Sequence, residues 1–113
     1  MTPGVTPGGV ADITVYVSIG NSDDKLVQVE WAGFYRRTNL AIRDFAQVVY
    51  GQWVSEPASA WQNACWCVTV DPRRAGDLKA ELRKIAGEYY QDSIAWAEAP
   101  KVELLPPASS DQG

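Results

Sequence analysis

The hydrophobic pattern of this chain switches between a two-residue and a roughly 3.6-residue repeat, and the order of those switches restricts the fold more than any other feature. Ile13, Val15, Val17 and Ile19 alternate with Thr14, Tyr16 and Ser18, a β-branched, half-buried strand that Gly20 ends. After the polar turn Asn21-Ser22-Asp23-Asp24-Lys25 the period lengthens. Val27, Trp31, Phe34, Tyr35, Thr38, Ala41, Ile42 and Phe45 then fall on one helical stripe, opposite Gln28, Arg36, Arg37 and Asp44. This helix is expected to begin between Asp23 and Val27, with Ser22, Asp23 or Asp24 as its N-cap. A second strand is predicted from Gln47 to Ser55, stopped by Glu56-Pro57, and a third from Asn63 to Val70, stopped by Asp71-Pro72. Leu78, Leu82, Ile85 and Tyr89 mark a second amphipathic helix, with Lys79, Glu81, Arg83, Lys84 and Glu88 outside. Its N-cap is either Asp71, with Pro72 in the first turn, or Asp77. A last extended stretch runs from Ser93, Ile94 and Trp96 through Val102 to Leu105, and Pro100 within it suits an edge strand.

The resulting order is βαββαβ, the order of an α+β, ferredoxin-like domain: a four-stranded antiparallel sheet with two helices on one face. A mixed sheet with another strand order is the competing arrangement. With 113 residues the chain has room for one domain, expected over residues 12–105. The Pro- and Gly-rich residues 1–11 and the segment 106–113 read as flexible tails.

Composition removes several function classes. The chain has no histidine, which rules out Ser-His and Cys-His catalysis within it and takes away the usual zinc ligand. A net charge of −4, with basic residues clustered no further than the pairs Arg36–Arg37, Arg73–Arg74 and Arg83–Lys84, argues against nucleic-acid binding. No apolar run approaches the roughly 20 residues of a membrane span and no signal peptide opens the chain, which points to a cytoplasmic setting.

Chain direction supplies the site hypothesis. With a right-handed crossover in each βαβ half, the connections after the first strand, after the second strand and after the second helix share one end. They bring Asn21, Ser22, Asp23, Asp24 and Lys25 towards Glu56, Trp61, Gln62 and Asn63, and towards Gln91, Asp92 and Ser93. Such a rim offers an indole wall, from Trp61 with Trp53, and several convergent polar groups, the usual makings of a ligand site. Each loop taken alone is ordinary capping and turn chemistry. Asp23 and Asp24 could hold a hard cation, as in a small metal-dependent hydrolase, although adjacent turn residues seldom aim two carboxylates at one ion. Cys65 and Cys67 stand two apart on a strand and share a face, with poor disulfide geometry and too few partners for zinc. Together with Tyr16 they are expected on the open side of the sheet, a mildly apolar surface suited to a homodimer or a protein partner.

The stretches Val17-Ser-Ile-Gly-Asn-Ser-Asp-Asp-Lys-Leu26, Trp61-Gln-Asn-Ala-Cys-Trp66 and Gln91-Asp-Ser-Ile-Ala-Trp96 resemble those of small uncharacterised proteins of actinobacteria and their phages. The resemblance covers the ordered domain, implies no catalytic residues, and suggests an actinobacterial or actinophage setting, with a host cytoplasm if the chain is phage-encoded; no cofactor is expected. The leading expectation is a non-enzymatic, oligomeric binding module with a small-ligand or peptide site on the loop rim. An inhibitor of a host protein, acting through the open sheet or the acidic surface, is the alternative, and the metal-dependent hydrolase stands behind both.

Overall fold

The computed structural model describes residues 11–21, 25–56, 61–99 and 103–108. Its elements follow as β1 (Ile13–Gly20), α1 (Gln28–Phe45), β2 (Val48–Val54), β3 (Asn63–Val70), α2 (Pro72–Glu88) and β4 (Ala95–Ala99). The strands form one sheet in the order β2-β3-β1-β4, and every neighbouring pair is antiparallel. This is the ferredoxin-like arrangement that the periods predict, and it excludes the mixed sheet.

The core forms where the two periods meet. Val15, Val17 and Ile19 of β1, with Trp66, Val68 and Val70 of β3, turn towards Phe34 and Ile42 of α1 and Leu78, Leu82 and Ile85 of α2, and all are buried. Trp66 is fully enclosed. It stacks on Tyr35 with ring centroids 5.5 Å apart, and its indole N–H donates to Asn39 Oδ1 at 3.0 Å and to Gln52 Oε1 at 3.1 Å. Gln52 reaches this cluster because β2 carries a bulge. Val49 pairs with Val68 and Gly51 with Cys67, so Tyr50 is the extra residue and Val49 and Gln52, three apart, both point at the helices.

The helix ends show where local chemistry overrides the sequence expectation. α1 starts at Gln28 with Val27 as N-cap, later than the capping residues Ser22, Asp23 and Asp24 would place it, and those three lie outside the described residues. A valine cannot cap with its side chain. Glu30 instead accepts the Val27 N–H at 3.0 Å, while Leu26 and Trp31, either side of the first turn, are both buried in the core in the positions of a hydrophobic staple. Val27 itself is exposed and does not belong to the buried stripe. For α2, Asp71 rather than Asp77 is the N-cap: its carboxylate accepts the Arg73 N–H at 2.9 Å, with Pro72 in the first turn.

β4 is an edge strand but a short one. Ser93 and Ile94 precede it, Pro100 lies outside the described residues, and residues 103–108 are exposed without regular structure. Of the expected tails, the described part is Ala11, which makes an isolated bridge, and residues 106–108.

Candidate functional site: the loop rim and the α2–β4 groove

The end of β1 is fastened to both neighbouring connections by one side chain. Asn21 is 2% exposed. Its Oδ1 accepts the Leu26 N–H at 3.0 Å, and its Nδ2 donates to the Leu26 carbonyl at 2.8 Å and to Gln62 Oε1 at 3.2 Å. The Asn21 backbone N–H donates to the Gln62 carbonyl at 2.8 Å. Gln62, also buried, passes the chain of bonds on by donating from Nε2 to Gln28 Oε1 at 2.9 Å. Asn21 and Gln62 therefore build the rim from within. Their polar atoms are engaged in hydrogen bonds within the fold, unlike the exposed rim groups that the sequence places beside them.

Around this clamp the remaining rim residues take their places. On the β2–β3 side Trp61 is 66% exposed, and Asn63 Nδ2 donates to the Trp61 carbonyl at 3.1 Å. The Asn63 N–H donates to Ser55 Oγ at 3.0 Å, and Glu56 is exposed beside it. Trp53 is set back from the rim, on the open face of the sheet across from Cys65. On the other side Lys25 Nζ lies 3.6 Å from Asp92 Oδ2, which joins the first connection to the one leaving α2. The three segments share one end of the molecule, as chain direction predicts. They form a row across it, with Trp61 at one side, Asn21 and Lys25 in the middle and Asp92 at the other.

The hollows lie at the Asp92 side. A groove of about 620 Å³ runs between α2 and β4, floored by Leu82, Ala86, Ile94 and Trp96, with Lys79 and Arg83 along its helix wall. A second hollow of about 370 Å³ opens between Ser18 at the end of β1 and Ala95 at the start of β4. Gln91, Asp92 and Ser93 border both hollows. This ridge is held by a strained helix end. Tyr90 sits at φ 57°, in the left-handed region, while the Gln91 N–H donates to the Ala86 carbonyl at 2.9 Å and the Tyr90 N–H to the Gly87 carbonyl at 3.4 Å. These are the two bonds of a Schellman ending, with tyrosine in the position glycine ordinarily takes.

Charge in the groove is divided. Lys79 lies over the Trp96 ring at 5.0 Å and 4.0 Å from Glu98. Arg83 has no ion-pair partner among the described residues, and it lines the groove beside the apolar floor. The periodicity that located α2 assigned Lys79 and Arg83 to a solvated outer face and gave no sign of the groove. The signal that could have found it is Trp96: a large aromatic on a short edge strand needs an apolar neighbour that a single helix only half supplies.

The open face of the sheet carries Tyr16, Cys65 and Cys67. Tyr16 pairs across strands with Cys67, and Ser18 with Cys65. A hydrogen bond with Cys67, then the nearness of both thiols, pushes the Tyr16 phenol above its ordinary value of 10. Ser18 Oγ donates to Cys65 Sγ at 3.2 Å, and Cys65 is buried within the chain itself, whereas Cys67 and Tyr16 remain reachable. Both thiols are free. Among the described residues no group of three His, Cys, Asp or Glu side chains could hold a metal ion, and no helix is long and apolar enough to cross a membrane. Asp23 and Asp24 lie outside that set. No family model, curated protein or solved structure matches the chain.

Proposed function

We propose that this domain is a non-enzymatic binding module whose ligand lies along the α2–β4 groove, with its polar end at the rim. One observation carries the reading: the larger groove ends at Gln91, Asp92 and Ser93, the same three residues that chain direction assigns to the shared end of the molecule. The wall chemistry supports a ligand class. Leu82, Ala86, Ile94 and Trp96 suit an apolar body, Arg83, unpaired among the described residues, a carboxylate or phosphate along it, and Asp92 with Ser93 an amine or hydroxyl at its end. A short amphipathic peptide and a small zwitterionic metabolite both meet these demands. Trp61, across the row, offers a second contact to the longer of the two.

Isothermal titration against a panel of amphipathic peptides, nucleotides and amino-acid-like metabolites tests the proposal. One member of the panel should bind, Arg83→Ala should weaken it at least tenfold, and Asp92→Asn should weaken it less because Lys25 shares that carboxylate. A wild-type chain that takes up none of them, or equal affinity in the Arg83→Ala variant, removes the groove as the site.

A further inference from the structure

The second feature is the sheet face turned away from the helices. By register this face carries Thr14, Tyr16 and Ser18 of β1, and Ala95, Ala97 and Ala99 of β4. Beside them stand Cys65, Cys67 and Thr69 of β3, and Val48, Gly51 and Trp53 of β2. None of these positions bears a charge. The charged side chains of the regular elements belong to the two helices and to Glu98, which faces the helix layer opposite Val15. Tyr16 is 41% exposed, Val48 47% and Trp53 55%, and the bulge residue Tyr50 shares the position opposite Cys67 with Gly51. A surface of this kind, uncharged and aromatic in a chain with a net charge of −4, is where two copies can meet without opposing like charges.

We infer that this face is a self-association surface, on which a second copy of the chain packs sheet to sheet about a two-fold axis. The axis falls at the Tyr16–Cys67 pair, because β3 and β1 are the two central strands and these residues sit mid-way along them. Strands five to eight residues long and about 4.8 Å apart give a footprint of roughly 400 Å². Side-chain relief raises this to roughly 500–600 Å² of accessible surface per copy, about 1,000–1,200 Å² in the pair, at the low end of specific interfaces. The dimer is therefore weak and concentration-dependent. An isologous contact of this geometry also places both Cys67 side chains near the axis, within the roughly 10 Å that separates packed sheets.

Sedimentation equilibrium of the full chain across the micromolar range reads this directly. The average mass should rise from monomer towards dimer with concentration. Ala97→Glu, which sets a carboxylate on the face at an exposed position beside Tyr16, should hold the chain at the monomer mass, while Lys84→Glu on α2 should leave the rise unchanged. A short bismaleimide should cross-link wild type and Cys65→Ser into dimers and leave Cys67→Ser uncoupled, a readout that stands even if Ala97→Glu fails to fold. A wild-type chain monomeric throughout, or a dimer that survives Ala97→Glu without cross-linking through Cys67, overturns the inference. The groove binds on the opposite side of the sheet, so neither result bears on it.

Discussion

Asn21 does the work of several residues because its amide both donates and accepts, and the site it occupies requires both. Oδ1 takes the Leu26 N–H while Nδ2 serves the Leu26 carbonyl and Gln62 Oε1. Asn21→Asp retains the acceptor, loses both donors and sets a carboxylate against two oxygens in a buried position. A loss of about 3 kcal/mol is expected, read as a lower urea midpoint, and a change under about 0.5 kcal/mol would deny the clamp. Asp71 is the other residue with a disproportionate part. The Arg73 side chain and its backbone N–H both bond the carboxylate and hold its pKa below the ordinary 3.8. A depressed pKa of this kind contributes stability above 3.8 that disappears as pH falls through the folded-state value. Asp12 nearby runs the other way: burial, and then Asp71, push its pKa up, so ionising it as pH rises past 3.8 detracts from stability. Asp71→Asn should accordingly flatten the acid limb of a stability-against-pH curve, and Asp12→Asn should raise stability at neutral pH. Urea titrations from strongly acid to neutral pH check both. Of the two residues, Asp71 was legible as a cap from the Asp-Pro pair, whereas Asn21 read as one of several turn formers. Nothing in its neighbours marks it as the one turned inward.

The elements were legible to within a few residues wherever hydrophobic period and turn chemistry agree. β1 and β3 are found where the alternation puts them, and α2 begins at its Asp-Pro signal. The start of α1 was misplaced because three good capping residues precede it, and burial of Leu26 and Trp31 outweighs their preference. The β2 bulge was invisible because Tyr50, Gly51, Gln52 and Trp53 fit either register until Trp66 demands a partner for its indole. Contact between the helices is equally non-local. A methyl group at Gly33 would lie 2.8 Å from the Tyr89 hydroxyl, on a ring stacked 5.3 Å from Phe34. Gly33→Ala should thus lower the melting temperature despite the better helix former. In a Tyr89→Phe background, where the nearest remaining ring atoms stand 3.5 Å away, the same change should raise stability by up to about 1 kcal/mol. The end of α2 offers a comparable test. Tyr90→Gly should relieve the left-handed strain and raise stability by about 1 kcal/mol while loosening the Gln91–Ser93 ridge. A simultaneous gain in melting temperature and loss of groove affinity is the expected pair of readings.

At the scale of the whole molecule, strand polarity did most of the predicting. The order of elements and a right-handed crossover suffice to say that the segments around Asn21, Trp61 and Asp92 share an end, and the Asn21–Gln62 bonds and the Lys25–Asp92 pair join them there. The position of the hollow within that end was not legible, since it depends on how far α2 leaves the edge strand uncovered. The same polarity has a practical corollary. Thr14 pairs with Ala99, so β1 begins and β4 finishes side by side at the end remote from the rim. A circular permutant that bridges those two points with a short linker and opens at Gln47 should keep the native far-UV spectrum and cooperative urea unfolding. Tethered to a bead or fused to another protein through either of those points, the domain presents its loop rim outward, like a lamp on a bracket.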